Sequence, residues 1–270
     1  MNEYEQANKN RWNELATLHF KSDFYHLKAW RNGGSSLLPI ETKEVGDVSG
    51  KKLLHLQCHF GMDTLSFARM GASVTGVDFS DEAIDLGNQL ASDLNLDGKF
   101  ICENVLELRD SPHLKGEKFD IIFTSYGVLC WLSDLSKWSK VISHYLKPGG
   151  FFYIIDSHPF TNGFDNENET THWKPIIPYF TDKVFRYDIE YSYTGQKISQ
   201  GAQASYEWFH TTSEIINNLI KAGLKIEFFN EHPVSSWRQF AFMHSKDGKT
   251  WELNEDKVDL PLSFSIKACK

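Results

Sequence analysis

From Lys51 to Asp156 the chain alternates short apolar runs with longer stretches whose apolar residues recur every three to four positions, a rhythm that admits few architectures. Lys52-Leu-Leu-His-Leu-Gln57 runs into a Gly-containing turn and reads as a buried strand. Met62, Leu65, Phe67 and Ala68 then predict a helix, closed by Gly71. Ser73-Val-Thr-Gly-Val-Asp78 is a second strand. Behind it Ser80 is placed as an N-cap, with Asp81 and Glu82 in the first turn, where the helix dipole favours acids. Lys99–Glu103, Phe119–Ser125 and Phe151–Asp156 read as further strands. A helix through Leu135, Trp138, Val141, Ile142 and Tyr145 is expected to stop at Lys147-Pro-Gly-Gly150.

Past Ser157 the rhythm breaks. Phe185, Tyr187, Ile189, Tyr191 and Tyr193 alternate with polar residues, as in a half-buried strand, and Ile198 to Trp208 suggests its hairpin partner. Thr211 and Glu214 form a capping box ahead of a helix ended by Gly223. Leu224–Phe229 and Leu262–Ile266 supply two more strands. Strands that alternate with helices pair in parallel through right-handed crossovers. The expected fold is therefore α/β: a Rossmann-like, doubly wound, seven-stranded sheet, mostly parallel with one antiparallel strand, with an N-terminal helical extension and a β-rich lid insert.

Composition narrows the functions open to such a sheet. The formal net charge is -8, and lysine and arginine are scattered among acids. Nucleic-acid binding draws its affinity from a basic stripe, so it is not expected. Cys58, Cys102, Cys130 and Cys269 form no C-x-x-C pair and no metal-ligand spacing, and read as reduced thiols in a cytoplasmic protein. The first ten residues lack an apolar core, so a signal peptide is not expected, and no apolar run approaches the roughly 20 residues of a membrane span. The oligomeric state is not legible. Aromatic residues reach 14% of the chain, and packing accounts for most such residues.

A doubly wound sheet binds its ligand at the carboxyl ends of its strands, beside the point where strand order reverses. Three segments are expected to meet there: the turn Gln57-Cys-His-Phe-Gly61, the acid Asp78 seventeen residues past Gly61, and Glu103-Asn-Val105. A strand-two carboxylate accepts hydrogen bonds from ribose hydroxyls. Taken singly, Gly61 serves a turn and Asp78 ends a strand; jointly they point to a nucleoside.

Leu53-Leu-His-Leu-Gln-Cys-His-Phe-Gly61, Gly71-Ala-Ser-Val-Thr-Gly-Val-Asp-Phe-Ser80, Phe119-Asp-Ile-Ile-Phe and Leu146-Lys-Pro-Gly-Gly150 together resemble the successive motifs of class I S-adenosylmethionine-dependent methyltransferases, in a small-molecule variant with Leu-Gln-Cys-His-Phe-Gly as first motif. The resemblance covers residues 50–156 closely. It implies that Gln57, Cys58, His59 and Gly61 approach the methionine moiety and that Asp78 holds the ribose. Phe79 would pack on adenine, Asn104 and Val105 would face its edge, Ser125 and Tyr126 would flank the sulfonium, and Tyr25 would fold over the cofactor. The sequence departs from the family at His55, where an acid is usual, and at Gln57 and His59, where glycines are usual. One domain is expected over 1–270: the extension (1–50), the cofactor-binding core (51–156), the lid insert (157–209) and the C-terminal part of the sheet (210–270).

Methyl transfer needs alignment more than a catalytic motif, since the cofactor carries the chemistry. An acceptor that must lose a proton is helped by a base, and position selects His158, just past the fifth strand, and His210, just before the capped helix. Tyr126 joins them as a catalytic candidate; the alternative for each histidine is a structural cap. The implied activity is methyl transfer to a small, apolar or planar acceptor, leaving S-adenosylhomocysteine. The alternatives are a non-catalytic S-adenosylmethionine-binding module and a nicotinamide-dependent oxidoreductase. The latter needs a G-x-G-x-x-G turn that residues 57–61 lack.

Overall fold

A computed structural model describes residues 1–166, 172–254 and 260–270. Five parallel strands carry the alternating segment: β1 (Lys52–Leu56), β2 (Ser73–Asp78), β3 (Gly98–Cys102), β4 (Phe119–Ser125) and β5 (Leu146–Ser157). Leu53 of β1 stands opposite Val74 of β2 on one side and Ile121 of β4 on the other. The insert contributes β6 (Val184–Asp188) and β7 (Ala204–Trp208), and the C-terminal part contributes β8 (Lys225–His232), β9 (Met243–His244), β10 (Glu252–Leu253) and β11 (Ser263–Cys269). The main sheet runs β3-β2-β1-β4-β5-β11-β8. β11 is antiparallel to both of its neighbours, so the expected single antiparallel strand is present. Strand order reverses between β1 and β4, which fixes where a ligand cleft can open.

Three of the helices that follow strands have a side-chain cap that their sequence supplies. The Ser80 side chain accepts from Ala83 N–H at 3.1 Å to start α5 (Asp81–Asp93). Asp134 accepts from Lys137 N–H at 2.9 Å to start α6 (Leu135–Tyr145). Thr211 and Glu214 satisfy each other's N–H groups at the head of α7 (Thr212–Lys221). α6 and α7 cover one face, where Trp138, Ile142 and Leu219 pack on Phe152 and Phe264. The other face packs Phe67 of α4 (Met62–Arg69) and Val45 against Phe123 and Tyr153.

β5 begins five residues earlier than the sequence suggests. Leu146 pairs with Phe119 across a register shift, and Lys147–Gly150 continue the strand rather than a turn. Gly150 permits this: a Cβ there would stand 2.7 Å from the Asp120 carbonyl oxygen.

The N-terminal extension is helical as expected, with α1 (Glu3–Phe20), α2 (Leu27–Arg31) and α3 (Pro39–Val45). In α1 the Asn8 amide pairs with both backbone groups of Tyr206 in β7, at 2.7 and 2.8 Å. Arg11 donates to the carbonyls of Ala202 and Gln203. The extension and the insert thus form one roof. The expected hairpin of the insert is half realised. Its ladder ends at Asp188 opposite Ala204, where a 3-10 turn over Gln200–Ala202 breaks the alternation. Among the described residues no helix is long and apolar enough to cross a membrane.

Candidate functional site

Beneath this roof a cleft of about 130 Å³ opens at the carboxyl ends of β1 to β4. Gln57 and His59 reach it from the β1 turn, Val77, Asp78 and Phe79 from β2, Glu103 to Leu106 from β3, and Tyr126 to Val128, Trp131 and Leu132 from β4. Glu5, Asn8 and Trp12 of α1 close it from above, with Tyr25 and the insert's Tyr193. The three segments expected to converge are brought together.

The β1 turn keeps a glycine-like backbone without glycines. Gln57 and His59 have φ of 57° and 52°, the left-handed region that costs an ordinary residue about 1–2 kcal/mol. Their side chains turn aside: Gln57 donates its amide to Val128 O at 3.1 Å, and the His59 ring stacks near Tyr25. The main chain is freed to donate His59 N–H to Asp78 Oδ2 at 2.8 Å. Ser80 N–H donates to Asp78 Oδ1 at 2.9 Å. These bonds orient the carboxylate at the cleft while burial raises it to about 6. His55, in the position of the family's acid, is buried, holds Thr64 Oγ1 at 2.8 Å and is kept neutral by desolvation, its pKa lowered to about 3.

Of the other expected residues, Asn104 and Tyr126 line the cleft, whereas Cys58, Gly61 and Ser125 are not in its lining. Cys58 is buried, with its thiol turned to the His59 carbonyl. Gly61 is required by packing: a Cβ there would stand 2.3 Å from the Phe100 ring, and φ is 76°. Ser125 donates to Asp63 Oδ2 at 3.0 Å. Asn104 lines the cleft, but its side chain caps Leu106 N–H and donates to Glu5. Tyr126 lines the cleft and donates its hydroxyl to the buried Glu41 of α3.

Neither candidate base lines the cleft. His158 accepts from Phe160 N–H on Nδ1 and sets Nε2 3.0 Å from Glu231 Oε1. His210 Nε2 donates to the Leu132 carbonyl at 2.8 Å, and burial lowers its pKa. His210 thus holds the backbone of the cleft wall, and His158 that of the turn after β5. Asp156 does so more directly: its carboxylate accepts from the N–H groups of Gly127, Val128 and Leu129, fixing the loop that forms one wall.

Trp12, Asn8, Glu5 and Tyr193 are lining residues that the motif reading passed over. Glu5, Asn8 and Trp12 share one face of α1, a spacing visible in the sequence but attached to no motif. Trp131 lines the cleft beside Tyr126, whereas several other aromatics pack elsewhere. Trp173 packs with Phe240 and Phe242, Tyr206 and Trp208 sit on Tyr4, and Trp30 is bonded to Ser66. Among the described residues no group of acids, histidines or cysteines is arranged to hold a metal ion.

Comparison with known proteins bears on the fold. Residues 54–154 match the family described as methyltransferase domain. The chain is 29% identical over 180 residues to phosphoethanolamine N-methyltransferase 1 of Triticum aestivum, covering 64% of this chain and 33% of that protein. It is 30% identical over 109 residues to the ubiquinone biosynthesis O-methyltransferase of Shewanella pealeana, covering 40% and 44%. The chain thus spans less than half the length of these curated relatives. Among solved structures, an S-adenosylmethionine-dependent methyltransferase from Mesorhizobium loti superposes with a TM-score of 0.61 at 18% identity, covering 89% of this chain and all of that one. One from Clostridium acetobutylicum gives 0.58 at 15% identity, covering 93% and 94%. The fold is that of the S-adenosylmethionine-dependent methyltransferases.

Proposed function

We propose that the chain binds S-adenosylmethionine in this cleft and passes its methyl group to a small-molecule acceptor, leaving S-adenosylhomocysteine. The observation that carries this reading is Asp78. Its carboxylate is held at the tip of β2 by two backbone N–H groups, on a cleft to which the ends of four parallel strands contribute. A carboxylate so placed retains lone pairs for two ribose hydroxyls, and Phe79, Asn104 and Val105 stand beside it for adenine. Gln57, His59 and Tyr126 are left for the methionyl end, with Tyr25 and Trp12 as cover.

Charge favours this ligand over a dinucleotide. Among the described residues no lysine or arginine lines the cleft, while Glu5, Asp78 and Glu103 do. A diphosphate meets repulsion there; a sulfonium meets carboxylates and ring faces. When bound, the cofactor supplies an electrophilic methyl group. The chain's own residues supply position and exclude water, and alignment alone contributes up to about 7–11 kcal/mol in well-oriented reactions.

The matched relatives, with names that specify phosphoethanolamine and ubiquinone biosynthesis, support a small-molecule acceptor. Thermal denaturation tests the reading. S-adenosylmethionine and S-adenosylhomocysteine raise the melting temperature by mass action, and NADH does not. Stabilisation by NADH alone overturns it. Labelled cofactor incubated with metabolite fractions then separates a methyltransferase, which transfers label, from a module that only binds.

A further inference from the structure

Adenine presents a donor and an acceptor side by side, its 6-amino group next to N1, so a pocket that selects it needs an acceptor beside a donor. The donor is in place. Val105 begins a 3-10 turn, and the N–H of a first helical residue has no partner within its own helix. The acceptor is not where the β3 loop was expected to supply it. Asn104 turns its amide oxygen back to Leu106 N–H at 3.0 Å and donates its amide nitrogen to Glu5 Oε2 at 3.2 Å.

Glu5 supplies what Asn104 does not. It stands in the first turn of α1, in a capping box with Asn2, and lines the cleft half-buried. Its carboxylate is drawn down into the wall: Oε2 accepts from Asn104, and Oε1 accepts from Ser133 Oγ at 3.0 Å. The chain neighbours of those two partners, Val105 and Leu132, line the cleft. The carboxylate therefore bridges the β3 loop and the loop that follows β4, next to the residue that carries the free-ended N–H.

The carboxylate also has room. An ionised carboxylate accepts about four hydrogen bonds, and Asn2 N–H, Asn104 and Ser133 provide three, which leaves a position on Oε1. The other acid of this wall, Glu103, has its carboxylate 3.9 Å from the ring of His113, an exposed side chain. Leu106 and Leu132 add apolar surface for a flat ring.

We propose, resting on the adenosyl reading, that Glu5 accepts from the 6-amino group of adenine, so that base specificity is set by the N-terminal extension and not by β3 alone. A 6-oxo purine inverts this edge, with an acceptor at position 6 and a donor at N1, and meets a like group at both places. The test is calorimetric titration of the full chain with S-adenosylhomocysteine and with its 6-oxo analogue, S-inosylhomocysteine. The wild type is expected to prefer S-adenosylhomocysteine at least about thirtyfold. Glu5→Gln keeps the capping box, which glutamine also serves, and brings an amide that can donate to a 6-oxo group. It is expected to lower the preference at least about tenfold, weakening S-adenosylhomocysteine while sparing or strengthening the analogue. A mere loosening of the roof weakens both ligands alike; a preference unchanged in Glu5→Gln therefore overturns the proposal. Equal binding of the two ligands by the wild type overturns it too, as does a preference lost in Glu103→Gln and kept in Glu5→Gln. If the wild-type chain takes up neither ligand, the cofactor reading itself fails, and the two failures are distinguished.

Discussion

Two side chains at 57 and 59 stand where the methyltransferase resemblance expects glycine, and the backbone there behaves as though glycine were present. The left-handed conformation is retained at both positions, and the side chains are turned out of the loop. The function of the turn resides in its main chain, since His59 N–H is what orients Asp78. Asp78 gives the first prediction. Burial raises its carboxyl from 3.8 to about 6, and ribose hydroxyls bind the ionised form. Binding therefore expels a proton below that pKa. The affinity for S-adenosylhomocysteine should be flat from pH 7 to 8 and fall about tenfold per unit below pH 6, read by calorimetry. Gly61→Ala should lose about 2–4 kcal/mol of stability in urea unfolding, from the positive φ and the Phe100 clash together. Asp156→Asn replaces an acceptor of three loop N–H groups by a side chain that is half donor. It should lower stability by about 1–3 kcal/mol and weaken cofactor binding in parallel. A variant with native stability and affinity would show that the 126–131 wall orders itself.

At the scale of elements, what the sequence revealed and what it hid have a physical division. The strands, crossover helices and caps were legible because each is specified locally: Ser80, Thr211 and Glu214 act within three residues of themselves. Asp78 and Asn104 were legible because they sit at strand ends whose position follows from the alternation, and Phe79 and Tyr126 through the resemblance to methyltransferase motifs. The roof was not. Trp12 and Tyr193 meet the cleft only because α1 lies along β7, an arrangement set by Asn8 reaching a backbone 198 residues away. His158 was selected by its place past a strand end and His210 by its place before the capped helix, which fix where a residue emerges but not which way its ring points; neither lines the cleft. The roof gives its own prediction. Asn8→Ala should detach α1 from the insert at the loss of two hydrogen bonds, about 1–3 kcal/mol, and hasten proteolytic cleavage within residues 1–50. Bound S-adenosylhomocysteine should restore protection; cleavage at the wild-type rate would mean that Asn8 does not hold the roof.

For the molecule as a whole, the three-layer sheet explains why a cleft forms where it does, and the roof explains why it is enclosed. Strand reversal between β1 and β4 leaves a crevice, and α1 with the insert turns that crevice into a pocket lined by acids and rings. The charge of that lining sorts ligands before shape does. Calorimetric titration of the wild-type chain and of Asp78→Ala with S-adenosylhomocysteine at pH 7.5 is the direct measurement. The account predicts one-to-one binding to the wild type and none detectable in the variant, whose circular dichroism stays native. Absence of binding to the wild type, or equal binding to both proteins, would contradict it.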